Sequence, residues 1–210
     1  MTTPCTFLLW KAGSSVSLQG PKWIIVVTGP PCGGKSRLAT VLTRRLDLPL
    51  LTKDAIKERL FDTLGWGDAE RSDAYNRASV ALMLDMARLL LATGQPFILE
   101  SNLRPDRDGP PYAALLSETG TQAIQIHCSA APEVLIERFR RRWAAGLRHP
   151  GHADDGAEAV IADKIRAGVY APLALPGVLL NIDTGADYTD EDTLVARVQQ
   201  HIHAIEKGAP

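Results

Sequence analysis

The sequence is poor in aromatic residues and cysteine, and it lacks long apolar runs. Aromatic residues make up 6% of its 210 residues, which argues against large base-stacking surfaces. The three cysteines, Cys5, Cys32 and Cys128, are odd in number and far apart. A disulfide framework is therefore not expected, and a reducing cytoplasm is the default compartment. A membrane span needs about 20 apolar residues, and no segment approaches that length.

The sequence also lacks an excess of charge of either sign. Lys and Arg number 23 and Asp and Glu number 24, which gives a formal net charge of -1. Proteins that mainly coat nucleic acid depend on many Lys and Arg contacts with phosphate, so this balance argues against such a role but is compatible with a local basic groove. Residues 7–10 are apolar, but the run is shorter than a signal-peptide core and has no basic flank before it. Residues 1–22 contain Gly13-Ser14-Ser15 and Gly20-Pro21, so they are predicted to be an irregular extension, with a short edge strand at Phe7 as an alternative.

Alternating strand and helix patterns fill the rest of the chain. With 45% hydrophobic and 22% charged residues, its length suits a single domain, predicted at residues 23–207. Strands separated by helices indicate a parallel sheet with helices on both faces. The strands are predicted at residues 23–28, 48–52, 96–100, 123–128 and 178–183, and the helices at 35–46, 54–64, 68–93, 111–119, 132–145, 157–167 and after a capping box at 189–192.

Apolar spacing predicts the buried faces of the second and third helices. Asp54 is expected to cap the second helix. Its inner face is predicted to comprise Ile56, Leu60 and Leu64. The apolar face predicted for the third helix is larger and consists of Val80, Leu82, Met83, Met86, Leu89 and Leu90.

One segment fits a phosphate-binding motif at every fixed position. Gly29-Pro30-Pro31-Cys32-Gly33-Gly34-Lys35-Ser36 matches G-x-x-x-x-G-K-[ST] between a predicted strand and a predicted helix. Glycines let backbone N–H groups surround phosphate oxygens, and a helix N-terminus adds free donors. Lys35 is predicted to reach the β- and γ-phosphates and Ser36 to bind Mg²⁺. Arg37 is included in the predicted nucleotide site, and Cys32 is interpreted as filler rather than a nucleophile.

This motif and four later segments resemble those of small P-loop kinases, a group that includes chloramphenicol phosphotransferase, zeta toxin and the polynucleotide 5′-kinase domains. The later segments are Thr52-Lys53-Asp54, Glu100-Ser101-Asn102, the stretch from Arg138 through Arg148 to His152, and Ile182-Asp183-Thr184. The resemblance covers about residues 24–205. It implies a three-layer P-loop NTPase fold, with a five-stranded parallel sheet in the order 2-3-1-4-5 and a short lid at about residues 144–156. It also implies ATP and Mg²⁺ as cofactors, and the lack of an Asn-Lys-x-Asp guanine motif favours ATP over GTP.

The resemblance implies roles for several residues that follow the second and third strands. Asp54 corresponds in position to the base that takes the proton from the acceptor hydroxyl, and a helix cap alone is the alternative. Glu100 is expected to order Mg²⁺, with substrate binding or the base role as alternatives. Asn102 and Arg104, together with Arg59 on the second helix, are predicted to contact the acceptor. For the loop residues, ordinary surface polarity is the alternative.

The arginine-rich segment resembles the lid of small kinases, whose arginines close over the transferred phosphate. Arg138 and Arg142 are four residues apart and so share one helix face. They are predicted to be catalytic, and Arg148 is predicted to bind the nucleotide. The alternative is a solvated face paired with Glu133 and Glu137.

Two further features lie near these segments. Thr184 follows the last strand and is predicted to hydrogen-bond the nucleotide base. His149 and His152 are three residues apart, but no cysteine or third histidine is near, so a turn is favoured over a metal pair.

The sequence thus favours a cytoplasmic kinase that transfers phosphate from ATP to a hydroxyl of a sugar, nucleoside or antibiotic. An antibiotic as acceptor follows only from the likeness to chloramphenicol phosphotransferase. Two alternatives stay open: a kinase of nucleic-acid 5′-hydroxyl ends, and a nucleotide-binding switch or ATPase without a small acceptor. A long nucleic acid is not expected as the usual partner, and neither is a membrane.

Overall fold

Strands and helices alternate through the described part of the chain. The structure is a computed structural model, and it describes residues 21–152, 156–185 and 190–208. The elements are β1 (Trp23–Thr28), α1 (Lys35–Leu46), β2 (Leu50–Thr52), α2 (Lys53–Leu64), α3 (Ala69–Ala92), β3 (Ile98–Glu100), α4 (Gly109–Thr119), β4 (Gln122–Ser129), α5 (Pro132–Ala144), α6 (Glu158–Arg166), β5 (Gly177–Asp183) and α7 (Glu191–Glu206). The edge strand predicted as an alternative at Phe7 lies outside the described residues.

The five strands form one parallel sheet in the order β2-β3-β1-β4-β5, and this confirms the predicted P-loop NTPase fold. The central strand β1 pairs with β3 on one side and β4 on the other, so that Ile25 lies opposite both Ile98 and Ile124. β2 and β3 lie on one side of β1 and β4 and β5 on the other, so the order in which strands are added switches sides at β1. In open α/β sheets, ligands bind at such a switch point, beyond the carboxyl ends of the strands.

The sheet is covered on both faces, because every residue of β1 is buried and such a strand needs apolar partners on each side. One core cluster joins the sheet to α1 and α7 through Leu38, Leu42 and Leu194. The other joins it to α3 and α4 through Met83 and Leu116. These two layers cover the faces of the sheet and leave its carboxyl edge for the loops that form the site.

Helix α2 differs from its prediction at its start and on its buried face. It begins at Lys53, and the Thr52 hydroxyl caps it by accepting a hydrogen bond from the Ala55 N–H. Asp54 is therefore not the cap. The buried residues are Lys53, Lys57 and Phe61, whereas Leu64 is 58% exposed. Hydrophobicity alone could not find this face because its two lysines are buried with polar partners supplied by other segments.

Helix α3 buries only part of the face predicted for it. Met83 is fully buried, and Val80 and Leu90 pack against the core, but Leu82, Met86 and Leu89 are exposed. The buried face also includes small residues such as Ser79, whose hydroxyl donates to the Tyr75 carbonyl one turn earlier. None of the described helices, this one included, is long and apolar enough to cross a membrane.

Most of the other predicted boundaries agree with the structure to within two residues. At the start of α7, the Asp190 side chain caps the helix by accepting a hydrogen bond from the Thr193 N–H. Thr189, the first residue of the predicted capping box, lies outside the described residues.

Candidate active site

The loop between β1 and α1 adopts a conformation that requires glycine. Gly29 has a φ of 134°, and a Cβ atom there would lie 2.1 Å from the Cys128 carbonyl oxygen. Gly34, the N-cap residue of α1, has a φ of 80° and provides no side-chain cap. The amide groups of the first helical turn are thus available to a ligand, as a phosphate-binding loop requires.

Lys35 is held inside this loop. Its side chain is 8% exposed, and its Nζ atom donates a 2.7 Å hydrogen bond to the Pro30 carbonyl oxygen. A buried ammonium group is costly unless it is paired. The loop carbonyl stabilises Lys35 in this position, and the remaining two N–H groups of its amine can bind an anion.

A single cleft of about 570 Å³ brings most of the predicted site residues together. It lies over the residues that follow β1, β2 and β3, and α3, α5 and α6 contribute to its walls. Such a volume is within the usual range for a small-molecule site. The predicted residues that line it are Pro31, Cys32, Gly33, Gly34, Lys35, Ser36, Arg37, Asp54, Glu100, Asn102, Arg104, Arg138, Arg142 and Arg148.

Four predicted site residues do not line this cleft. Gly29 and Pro30 are buried within the loop. Arg59 is exposed on α2. Thr184 is 6% exposed, and its hydroxyl lies 3.1 Å from the Gly33 carbonyl oxygen and 3.0 Å from that of Ser129. Thr184 therefore braces the phosphate-binding loop from the end of β5.

Asp54 lies among cations in the cleft. Its Oδ1 atom is 3.4 Å from Lys53 Nζ, and its Oδ2 atom is 3.4 Å from Arg148 Nη2. Burial acts to raise the pKa of Asp54, but the charges of Lys53 and Arg148 outweigh burial and leave the pKa well below its usual value. This carboxylate is ionised at neutral pH and can accept a hydrogen bond or a proton.

Glu100 lies in a different environment from Asp54. It is 5% exposed at the end of β3. Burial raises its pKa above the usual value, and Lys35 and a hydrogen bond with Ser36 partly oppose that rise. The side chains of Glu100 and Ser36 therefore meet beside the loop lysine. A carboxylate and a hydroxyl are oxygen donors of the kind that Mg²⁺ binds, directly or through water.

The two helix arginines, Arg138 and Arg142, have different surroundings although both line the cleft. Arg138 Nη2 donates to the Thr184 carbonyl oxygen at 2.5 Å, and Nη1 donates to the Thr184 hydroxyl at 3.4 Å. Arg142 has its Nη2 atom buried without a hydrogen-bond partner in the described part of the chain. Its guanidinium lies 5.7 Å from the centre of the Phe139 ring. Arg142 therefore has an unused donor that an anion could satisfy.

Two buried lysines, Lys53 and Lys57, line the cleft but were not predicted. Lys53 Nζ donates to the Asn102 side-chain oxygen as well as lying near Asp54, and burial lowers its pKa. Lys57 Nζ donates to the Ser72 hydroxyl at 3.0 Å. Their spacing was the only signal in the sequence, since residues 53 and 57 share a helix face with Phe61. Spacing alone does not predict that this face is buried, because the burial depends on Asn102 after β3 and Ser72 on α3 as hydrogen-bond partners.

The segment from Arg148 to His152 is fixed against α2. The His149 ring stacks on the Phe61 ring, with centroids 5.0 Å apart, and a Cβ on Gly151 would lie 2.6 Å from that ring. His152 is buried, and its Nε2 atom is 3.0 Å from Glu58 Oε1. Burial and the charge of Arg148 lower the pKa of His152 to about 3, so its ring is neutral at pH 7.

The described residues contain no cluster of three His, Cys, Asp or Glu side chains suited to a metal ion, and each histidine of this segment has another contact. His152 meets Glu58, and His149 accepts from the Gly151 N–H at 3.0 Å. This hydrogen bond closes the turn at Pro150-Gly151, which the sequence favoured over a metal pair.

The donor set of the cleft fits a nucleotide and Mg²⁺. The phosphate-binding loop has the required glycines and a buried lysine. Besides Arg142, Ser101 has a buried side-chain polar atom without a partner in the described ranges, and both residues line the cleft. Buried polar atoms that lack a protein partner call for one from a ligand or water.

Comparisons with known proteins agree with this fold. A crystal structure from Chloroflexus aurantiacus J-10-fl, of a protein whose own assignment as a kinase is provisional, is 40% identical; its TM-score is 0.79, and the match covers 87% of this chain and 99% of that one. Shikimate kinase from Bacteroides thetaiotaomicron is 23% identical, with a TM-score of 0.52 and coverage of 85% and 97%. A gluconokinase from Sinorhizobium meliloti 1021 is 17% identical, with a TM-score of 0.50 and coverage of 87% and 96%.

These last two similarities concern the fold alone. No curated protein matches the sequence. The AAA domain family matches residues 24–170, which is more than half of the chain. The chain therefore belongs to the AAA domain family.

Proposed function

We propose that this protein is an ATP- and Mg²⁺-dependent kinase that transfers the γ-phosphate to a hydroxyl group of a small molecule. The observation that carries the proposal is that the phosphate-binding loop, an ionised carboxylate and several arginines line one cleft. Phosphoryl transfer needs these three elements close together, because the reaction depends on positioning and on stabilisation of negative charge. The assignment of the Chloroflexus relative as a kinase supports the same conclusion.

The nucleotide half of the cleft is assigned to the loop residues and the carboxyl end of β3. The amides at Gly33 and Gly34 and the Lys35 amine hold the phosphates, and Arg37 lies beside them. Ser36 and Glu100 would hold Mg²⁺. When bound there, the ion would neutralise charge on the phosphates. Thr184 supports the loop through its hydrogen bond with the Gly33 carbonyl oxygen, and we assign it no contact with the nucleotide base.

Asp54 is assigned the role of general base. It is ionised, and it lines the cleft at the start of α2. Asp54 accepts the proton of the acceptor hydroxyl as the oxygen attacks. Lys53 orients it, because this buried amine contacts both Asp54 and Asn102.

Arg142 and Arg148 are assigned to the transferred phosphate. Arg142 has an unsatisfied donor, and Arg148 reaches the cleft from the segment at residues 144–156, which we assign as the lid. Arg138 is assigned mainly to the bracing of Thr184 and the loop. Arginine at these positions stabilises the negative charge of the transition state.

The proposal is tested by ADP release with purified protein, ATP and Mg²⁺, across nucleosides, sugars, sugar acids, sugar phosphates, aminoglycosides and phenicols. Lys35→Ala is the inactive control. We expect at least one acceptor to raise ADP release well above the rate with ATP alone. Faster release with 5′-hydroxyl oligonucleotides than with any small molecule would favour an end kinase. A high rate that no acceptor changes would favour an ATPase.

A further inference from the structure

The charge of the cleft is very different from that of the whole chain. Within the described residues, ten cationic side chains and three carboxylates line it, whereas the formal net charge of the chain is -1. Carboxylates next to the cleft neutralise some of these cations, including Arg37 through Glu191. The remaining excess is not confined to the phosphate-binding loop.

Part of that excess of positive charge is carried by lining residues that are distant in sequence from the phosphate-binding loop. We define the acceptor half of the cleft by Ser72, Asp73 and Asn76 on α3, Arg104 and Arg107 after β3, and Lys164 and Tyr170 at and beyond α6. Its wall includes three cations and a single carboxylate, Asp73. None of these cations belongs to the phosphate-binding motif.

Arg104 and Arg107 are oriented by carboxylates that occupy only one edge of each guanidinium. Asp106 accepts from Nε and Nη2 of Arg104. Asp108, whose side chain is 3% exposed, accepts from Nε and Nη2 of Arg107. In both arginines the Nη1 group forms no hydrogen bond with the described residues and can donate to a ligand.

The same two arginines lie near Tyr170. Burial raises the pKa of Tyr170, and the charges of Arg104 and Arg107 oppose that rise. The phenol therefore lies in the field of both guanidinium groups, and Lys164 lines the same cleft. Lys164 forms no ion pair with the described residues. Two half-used guanidiniums, a free ammonium and a phenol are suited to bind an oxyanion.

We infer that the acceptor carries its own oxyanion, a carboxylate or a phosphate, and that Arg104, Arg107 and Lys164 bind this group while the reacting hydroxyl faces Asp54. This inference rests on the proposed function, because it names the class of acceptor for the same site. It favours sugar acids and sugar phosphates over neutral sugars, nucleosides and phenicols.

The test uses full-length protein saturated with Mg²⁺ and a non-hydrolysable ATP analogue, so that the γ-phosphate position is filled. Inorganic phosphate and acetate are titrated separately by calorimetry, and the two probes distinguish a phosphate from a carboxylate. We expect at least one anion to bind. Lys164→Ala and Arg107→Ala should each weaken binding about ten-fold, as loss of a charge-assisted hydrogen bond predicts.

Arg88→Ala is the matched control, because Arg88 is exposed and pairs only with Asp85 among the described residues. It should leave anion binding unchanged. Arg107→Ala removes the ion-pair partner of the buried Asp108 and could therefore destabilise the fold. Lys164 is exposed, so Lys164→Ala tests the site without that risk. The inference is overturned if neither anion binds, or if binding is the same in Lys164→Ala and the wild type.

The acceptor screen separates this inference from the proposed function. With glucose, gluconate and glucose 6-phosphate as a matched set, phosphorylation mainly of the neutral sugar would overturn the oxyanion inference and leave the kinase intact. Anion binding that depends on Lys164, together with no phosphate transfer to any acceptor, would overturn the kinase and leave the anion site intact.

Discussion

The two halves of the cleft are built in different ways. The proposed nucleotide half is formed mainly by the loop between β1 and α1, of which the six consecutive residues Pro31 to Ser36 line the cleft. The proposed acceptor half is formed by residues from α3, α6 and the loop after β3, and by Tyr170. Local backbone geometry therefore determines the first half, whereas packing of distant helices determines the second. We expect substitutions in the loop to affect every acceptor equally and substitutions in the acceptor half to change substrate preference.

The largest expected effect is that of Lys35→Ala in the nucleotide half. Loss of a buried ammonium that binds phosphate should lower kcat/KM by about 10³-fold or more, for all acceptors alike. ADP release measures the rate, and calorimetry measures nucleotide binding. Lys207→Ala, at an exposed lysine outside the cleft, is the matched control and should behave as the wild type. A loss confined to one acceptor would contradict the division of the cleft.

A somewhat smaller effect is expected from Asp54→Asn in the first turn of α2. The amide keeps the shape of the side chain but cannot accept the proton, so kcat should fall about 10²- to 10³-fold with little change in nucleotide affinity. Single-turnover transfer and nucleotide titration measure the two quantities. Asp85→Asn on the exposed side of α3 controls for the chemical change. Undiminished turnover in a folded Asp54→Asn protein would exclude Asp54 as the base.

The pH dependence should separate Glu100 from Asp54. The pKa of Asp54 is lowered, so this group stays ionised as the pH falls. Burial raises the pKa of Glu100, so Glu100 is protonated first, and activity should fall as the pH drops through its raised pKa. In Glu100→Gln we expect about 10-fold lower activity at neutral pH and an acid limb moved to lower pH. An acid limb unchanged in that variant would assign the limb to another group.

The smallest expected effect is that of Gly151→Ala at the lid. The new methyl group would lie 2.6 Å from the Phe61 ring, and such overpacking costs about 1–3 kcal/mol. We expect a lower urea midpoint and a several-fold lower kcat, because Arg148, which we assign to the transferred phosphate, is displaced with the segment. Gly67→Ala is the control, because the nearest atom to a Cβ there, apart from its chain neighbours, belongs to the flexible Arg71 side chain at 3.7 Å. Equal stability of the two variants would show that the segment is not fixed by this contact.

Two corrections show where prediction from the sequence failed and why. The inner face of α2 was predicted from Ile56, Leu60 and Leu64, but the buried residues are Lys53, Lys57 and Phe61. Lysine is placed outside by any hydrophobic pattern, and these two are inside because Asn102 and Ser72 accept their hydrogen bonds. Similarly, Leu82 and Met86 on α3 were predicted inside and are exposed, because the buried face of the helix runs through Met83, Ala87 and Leu91 instead.

The sequence by itself determined the parallel α/β architecture and the phosphate-binding loop. Alternating buried strands and helices indicate a parallel sheet, and the conformation of the loop depends on glycines that lie close together in the chain. The order of the strands followed from the resemblance to small P-loop kinases. Only the tertiary structure decided which lysines are buried, which arginines have a free edge, and that Arg148 meets Asp54. These contacts join residues up to 94 positions apart. No local pattern encodes them, because they depend on how whole helices pack.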